Sequence, residues 1–145
     1  MSKKIEDLQE DVRDAARAAL TDMDINGIKY SVQNTFRTTD EQIALYAQGR
    51  KALVEVQSLR KIANMPPLYP DDNAYTVTNC DGTKTKSAHQ SGRAIDIVPI
   101  DSRGNPYWPV DGDSHWVGIA NIMKAHGFIW GGDWKDFPDA PHYQM

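Results

Sequence analysis

The chain has 145 residues, of which 40% are hydrophobic and 25% charged, enough to bury one core, short for two domains and too apolar for default disorder. Its net charge of -4, pI near 5.5 and scattered lysines and arginines argue against a nucleic-acid partner, which would need a basic face to displace counterions. No stretch approaches the roughly 18 apolar residues of a membrane span, and the opening MSKKIEDLQEDVRDAARAAL lacks the apolar centre of a secretory signal, so synthesis in the cytoplasm is expected. The single cysteine, Cys80, has no partner for an intramolecular disulfide, in keeping with a reducing compartment.

Ile5, Leu8, Val12, Ala15, Ala16, Ala19, Leu20 and Met23 recur at three- and four-residue steps, which predicts a helix over residues 3–23 with one apolar stripe. Asn26-Gly27 ends it, and the alternation of Ile28, Tyr30 and Val32 predicts a strand. Thr39-Asp40-Glu41-Gln42 is a capping-box pattern for a short helix through Ala47, which leaves Arg37 at a strand-to-helix junction. A second helical stretch carries Leu53, Val56, Leu59 and Ile62 and stops before Met65-Pro66-Pro67, followed by loop to Asp72.

Tyr75, Val77 and Asn79 alternate before Asp81-Gly82, which predicts a hairpin returning through Thr83 to Lys86, with Cys80 a small residue at its turn. Arg93 to Val98 is the next strand. SRGNPYWPVDGDS is a long loop, Ser114 to His126 a helix closed by Gly127, and Phe128 to Trp130 a last strand. Helices and antiparallel hairpins in this order give an α+β fold, a single domain with a central antiparallel sheet flanked by helices.

Asp96 stands among Ala94, Ile95, Ile97 and Val98, on the strand face opposite both isoleucines. A carboxylate there is costly unless it is paired or binds a metal. Gly92 permits a tight turn that brings His89 toward it. The bland alternative is an exposed His89 and an Asp96 paired with Arg93 or another cation. At the C-terminal end, Trp130-Gly131-Gly132-Asp133-Trp134 precedes Asp139-Ala140-Pro141-His142, where Pro141 disfavours helix and predicts a loop leading into a short strand. Two imidazoles and a carboxylate suit one catalytic zinc with its fourth position open, and a free carboxylate nearby can serve as base. His89, Asp96 and His142 can be those ligands and Asp139 that base. His115 and His126 suit surface or capping roles. Asp133 either orients a ligand histidine or closes a turn. Tyr107, Trp108, Trp116 and Trp134 suit the core, with room for one to line a groove, and Asp71-Asp72 a solvated loop.

Ser87-x-His89-x-x-Gly92-x-Ala94-x-Asp96 resembles the SxHxxGxAxD motif of zinc D,D- and L,D-peptidases that cut bacterial cell-wall peptides, and Trp130 to Trp134 with Asp139-x-Pro-His142 resembles their second motif. Phe36-Arg37-Thr38, Glu41-Gln42 and Leu45 to Arg50 are similar to the segment that carries the family's active-site arginine. The resemblance covers about residues 28–50 and 75–145. It implies the fold shared with hedgehog signalling domains, one zinc ion on His89, Asp96 and His142, Asp139 as base, Arg37 on the oxyanion, and Ser87 and Gln42 toward substrate. An aspartate at the base position is common in L-alanyl-D-glutamate endopeptidases, where dipeptidases usually carry glutamate. The expected protein is thus a monomeric endopeptidase of peptidoglycan stem peptides, a phage or prophage endolysin released to the wall through a membrane pore. The alternatives are a D-alanyl-D-alanine carboxypeptidase and a non-enzymatic cell-wall-binding module. Residues 1–27 form the N-terminal helix of this single domain, and residues 51–74 stand out from the family pattern as an insertion.

Overall fold

The computed structural model describes residues 1–145. Its elements are α1 (Glu10–Ile25), β1 (Tyr30–Asn34), α2 (Thr39–Ala47), α3 (Leu53–Ile62), β2 (Ala94–Pro99), α4 (Ser114–Ala125), β3 (Ile129–Trp130) and β4 (His142–Gln144). The four strands make one antiparallel sheet in the order β1-β2-β4-β3. No helix is long and apolar enough to cross a membrane.

The two faces of the sheet have different tasks. Ile95, Ile97 and Tyr143 point to one side and pack with Val12, Ala16, Ala19 and Met23 of α1 and with Ile119, Ala120 and Met123 of α4, all fully or almost fully buried. Asp96 and His142 are direct cross-strand partners on β2 and β4, so their side chains stand together on the other side. At β1 the register slips between Val32 and Asn34, and this bulge leaves Asn34 opposite Asp96. The slip carries the chain into Thr35 and Arg37, both next to the site.

Two expectations need correction. The first helix is broken: Ile5–Asp7 is a 3-10 turn, Leu8 is extended, and α1 begins only at Glu10. The cause is tertiary, since the Gln9 N–H donates to the Gly92 carbonyl at 2.9 Å and Leu8 drops into the core at 4% exposure. The hairpin over 75–86 is absent, and the segment is loop. The Asp81 carboxylate accepts the N–H groups of Thr83, Lys84 and Thr85, which a return strand would have offered to a ladder. The Gln42 amide then ties down Thr78 and Cys80 from below.

Residues 53–62 form α3 as expected, and Val56 packs with Ala47 of α2 and Leu68. The Gln57 amide clamps the backbone of Leu68 in both directions, at 2.8 and 2.9 Å.

Gly92 has φ of 68°, in the left-handed region, and a Cβ there would meet Asp7 O and Gln9 N at 3.2 Å. Gly92→Ala is therefore expected to lower stability by about 1–2 kcal/mol, measured by urea unfolding. An unchanged midpoint would show that the turn tolerates a side chain.

Candidate metal centre

His89 reaches the sheet from the 3-10 turn Ala88–Ser91. The Ser87 hydroxyl accepts the His89 N–H while the Gln90 side chain accepts the Ser87 N–H, a reciprocal cap that fixes the turn at its start. The turn closes with the Gly92 N–H donating to the His89 carbonyl, and that same carbonyl accepts the Arg37 N–H. The histidine is 2% exposed and its Nδ1–H donates to the Thr35 carbonyl at 2.8 Å. A carbonyl only accepts, so Nδ1 carries the hydrogen, and in the neutral ring Nε2 keeps its lone pair toward Asp96 Oδ1, 3.1 Å away.

His142 is arranged in the complementary way. Its Nε2–H donates to the Gln144 side-chain oxygen at 2.8 Å, and Nδ1 faces the same Asp96 Oδ1 at 3.2 Å. The two rings meet edge to face at 5.0 Å. One atom each from His89, Asp96 and His142 therefore lie within 4.8 Å of one another. With one ring nitrogen of each histidine engaged by an oxygen, the three atoms that converge are all electron-pair donors, and only a cation or a proton satisfies them together. Zinc fits this donor set and the second-layer oxygens that orient it.

The electrostatics carry the same imprint. Burial alone would push the Asp96 carboxyl up, but contact with His142 and His89 outweighs it and holds the group well below the ordinary carboxylate range. Burial works against charge on His142 as well, yet Asp96 and Gln144 raise its pKa above the ordinary imidazole value. The direction of that shift favours a proton on His142, a proton that competes with a metal for the same nitrogen.

Arg37, 9% exposed, donates from Nη1 to Gln42 Oε1 at 2.8 Å and brings Nη2 to 4.0 Å from the other Asp96 oxygen. Burial lowers its pKa, and Asp96, Glu41 and Asp139 counter that shift. Gln42, expected at the substrate, is fully buried, so its amide acts through Arg37 and the 78–80 loop instead. Ser87 lines the cleft but also caps the His89 turn. Asp139 is open to the solvent of the cleft while standing between its walls, and that partial desolvation, together with the charge of Asp96, raises its pKa.

Gly131 places Asp139. Its carbonyl accepts the Asp139 N–H at 2.9 Å, and a Cβ on it would lie 2.5 Å from the Asp139 carbonyl oxygen. Asp133 pairs with Lys124 at 2.6 Å and closes the Gly131–Asp133 turn, while the histidines are oriented by Thr35 and Gln144. Gln144 was open to sequence reasoning, because it shares a strand face with His142 two residues away. Thr35 acts through its backbone and has no side-chain signature. Trp116 is core, whereas Trp108 and Trp134 line the cleft, and Arg93 pairs with Asp11 rather than Asp96.

Because a proton competes for His142, zinc affinity measured against a chromophoric chelator should rise as pH increases from 6 to 8, by up to about tenfold per unit while His142 is protonated. A flat profile would contradict the assignment of His142 to the metal.

A family model described as D-alanyl-D-alanine carboxypeptidase matches residues 81–145. The peptidoglycan L-alanyl-D-glutamate endopeptidase CwlK of Bacillus subtilis is 33% identical over 138 residues, which covers 91% of this chain and 68% of that protein. The L-alanyl-D-glutamate peptidase of a Listeria phage is 27% identical over 138 residues, 95% of this chain and 38% of that one. Among solved structures, the L-Ala D-Glu endopeptidase ChiX of Serratia marcescens has a TM-score of 0.58 at 20% identity, over 97% of this chain and 82% of that chain. The vancomycin resistance D,D-pentapeptidase VanY, solved in complex with Zn(II), has a TM-score of 0.56 at 17% identity, over 95% and 72%. The two structural likenesses establish the fold. One-third identity sustained over nine tenths of the chain goes further than a shared fold, and the chain belongs to the D-alanyl-D-alanine carboxypeptidase family of zinc-dependent peptidases.

Proposed function

We propose that this protein is a zinc-dependent peptidoglycan peptidase that hydrolyses the L-alanyl-D-glutamate bond of cell-wall stem peptides. The observation that carries the proposal is the meeting of His89, Asp96 and His142 on one sheet face, in a cleft of about 1280 Å³ that Asp139 and Arg37 also line. The choice of bond is supported by the two relatives named for it and by an aspartate at position 139.

Held by the three side chains, zinc supplies Lewis acidity toward water and the scissile carbonyl. Asp139 accepts the proton of the attacking water and delivers it to the leaving amine as the C–N bond breaks. Its raised pKa strengthens it as the acceptor in the first half of that transfer and brings its protonated form closer to the working pH for the second. Arg37 stabilises the negative charge that develops on the carbonyl oxygen, with Gln42 fixing its guanidinium. Ser87 offers its hydroxyl to the substrate backbone from the rim of the His89 turn.

As an endolysin the protein would act as a monomer, made in the cytoplasm and released to the wall through a membrane pore, and the likeness to a phage peptidase supports this role.

Asp139→Asn tests the base assignment. It should keep zinc and lose turnover on a synthetic L-alanyl-D-glutamyl stem peptide by about 10²–10⁴-fold. A group whose pKa is raised by folding disfavours the folded state once ionised, so at neutral pH the metal-free variant should melt no lower than the wild type. Full turnover with zinc bound would remove Asp139 from the mechanism. A melting point several degrees lower would show a structural role instead.

A further inference from the structure

Trp108, Trp134 and Phe137 all line the cleft, and they are 60%, 37% and 76% exposed. Rings of this size left in water forgo the burial that stabilises them elsewhere. Phe137 carries a second cost, with φ of 54°, a left-handed conformation that bulky residues rarely adopt. Strain of that kind concentrates at positions that grip ligands. Trp134 and Phe137 belong to the short segment that ends at Asp139, and the Trp134 ring lies 5.2 Å from that of His142. Trp108 comes from the long loop before α4.

Hydrogen-bonding side chains line the same cleft, among them Asp136, next to Phe137 in the chain, and Asn79 in the loop 76–80. A cleft that offers exposed aromatic rings together with acceptors and amides matches a pyranose, which presents C–H groups on its face and hydroxyl and acetamide groups at its rim. A lipid chain would leave the polar groups without partners.

The substrate chemistry supplies the occupant. L-Alanine is the first residue of a stem peptide, and its nitrogen is acylated by the lactyl group of an N-acetylated amino sugar. One residue and the residue-sized lactyl group after it each span at most about 3.6 Å, so with the L-alanyl carbonyl at the metal centre the sugar begins within about 7 Å of it, inside the cleft. We propose that Trp108, Trp134 and Phe137 form a saccharide platform that holds this amino sugar beside the scissile bond. The inference rests on the peptidase reading of the site, and it makes glycan-linked stem peptides better substrates than stem peptides already released from the glycan.

The test is a titration of the metal-free protein with the peptide-free disaccharide of N-acetylglucosamine and N-acetylmuramic acid, followed by tryptophan fluorescence and by heteronuclear NMR. Saturable binding is expected, weakened about tenfold in Trp108→Ala and in Phe137→Ala and recovered in Trp108→Phe. In the zinc-loaded enzyme the ratio of kcat/KM for glycan-linked over free stem peptide should fall by a similar factor in both alanine variants. A wild type that does not bind the disaccharide, or alanine variants that bind it equally well, would overturn the platform. No hydrolysis is needed for the titration, so the two readings fail separately. A protein that binds the sugar but cuts nothing loses the peptidase reading, and one that cuts but ignores the sugar loses the platform.

Discussion

The Asp96 carboxylate is the constraint around which the rest of the molecule is organised. It sits on an inner strand with its side chain only 20% exposed, where an unpaired charge would be costly. One of its oxygens is met by both histidines and the other faces Arg37. Each of those partners is in turn fixed by something behind it: Thr35 behind His89, Gln144 behind His142, Gln42 behind Arg37. A buried carboxylate that shares one oxygen between two imidazole nitrogens is matched by a divalent cation, and this suits the site to a metal before any chemistry is considered.

The sheet makes that arrangement possible by dividing its faces. Antiparallel pairing of β2 with β4 puts Asp96 beside His142, and the same pairing puts Ile95 and Tyr143 on the helix-packed side. A one-residue slip in this register would exchange the two sets, burying the acid in the core, so the apolar packing of α1 and α4 also guards the geometry of the centre. Gly131 and Gly92 add the local freedom that strands lack. The first allows Asp139 to approach within hydrogen-bond distance of the turn, and the second lets the chain double back after His89.

Much of this was legible in the sequence because it follows from period and chemistry. The alternation of Ala94 to Val98 isolates Asp96 on its own face, Gly92 marks the turn, and Pro141 marks the loop that leads into β4. What was not legible depends on contacts between distant segments. The break at Leu8 is made by Gly92, eighty-odd residues away in the chain, and periodicity carries no trace of it. The loop over 75–86 has the alternation of a hairpin but is held by Gln42 and by the Asp81 carboxylate. Gln42 looked like a substrate contact because it belongs to the arginine segment, and only its complete burial shows that it works behind Arg37. The exposed rings at positions 108 and 137 resemble core aromatics in composition, and exposure alone distinguishes them.

The bond that is cut defines the proposed activity. Purified peptidoglycan digested by the zinc-loaded protein, with a chelated sample and Asp139→Ala beside it, can be analysed by mass spectrometry for new end groups. Stem peptides with a new amino-terminal D-glutamate are expected, present only in the zinc-loaded wild type. Release of D-alanine would contradict it in favour of a carboxypeptidase, and intact stem peptides would contradict it in favour of a cell-wall-binding protein that keeps a metal centre without using it.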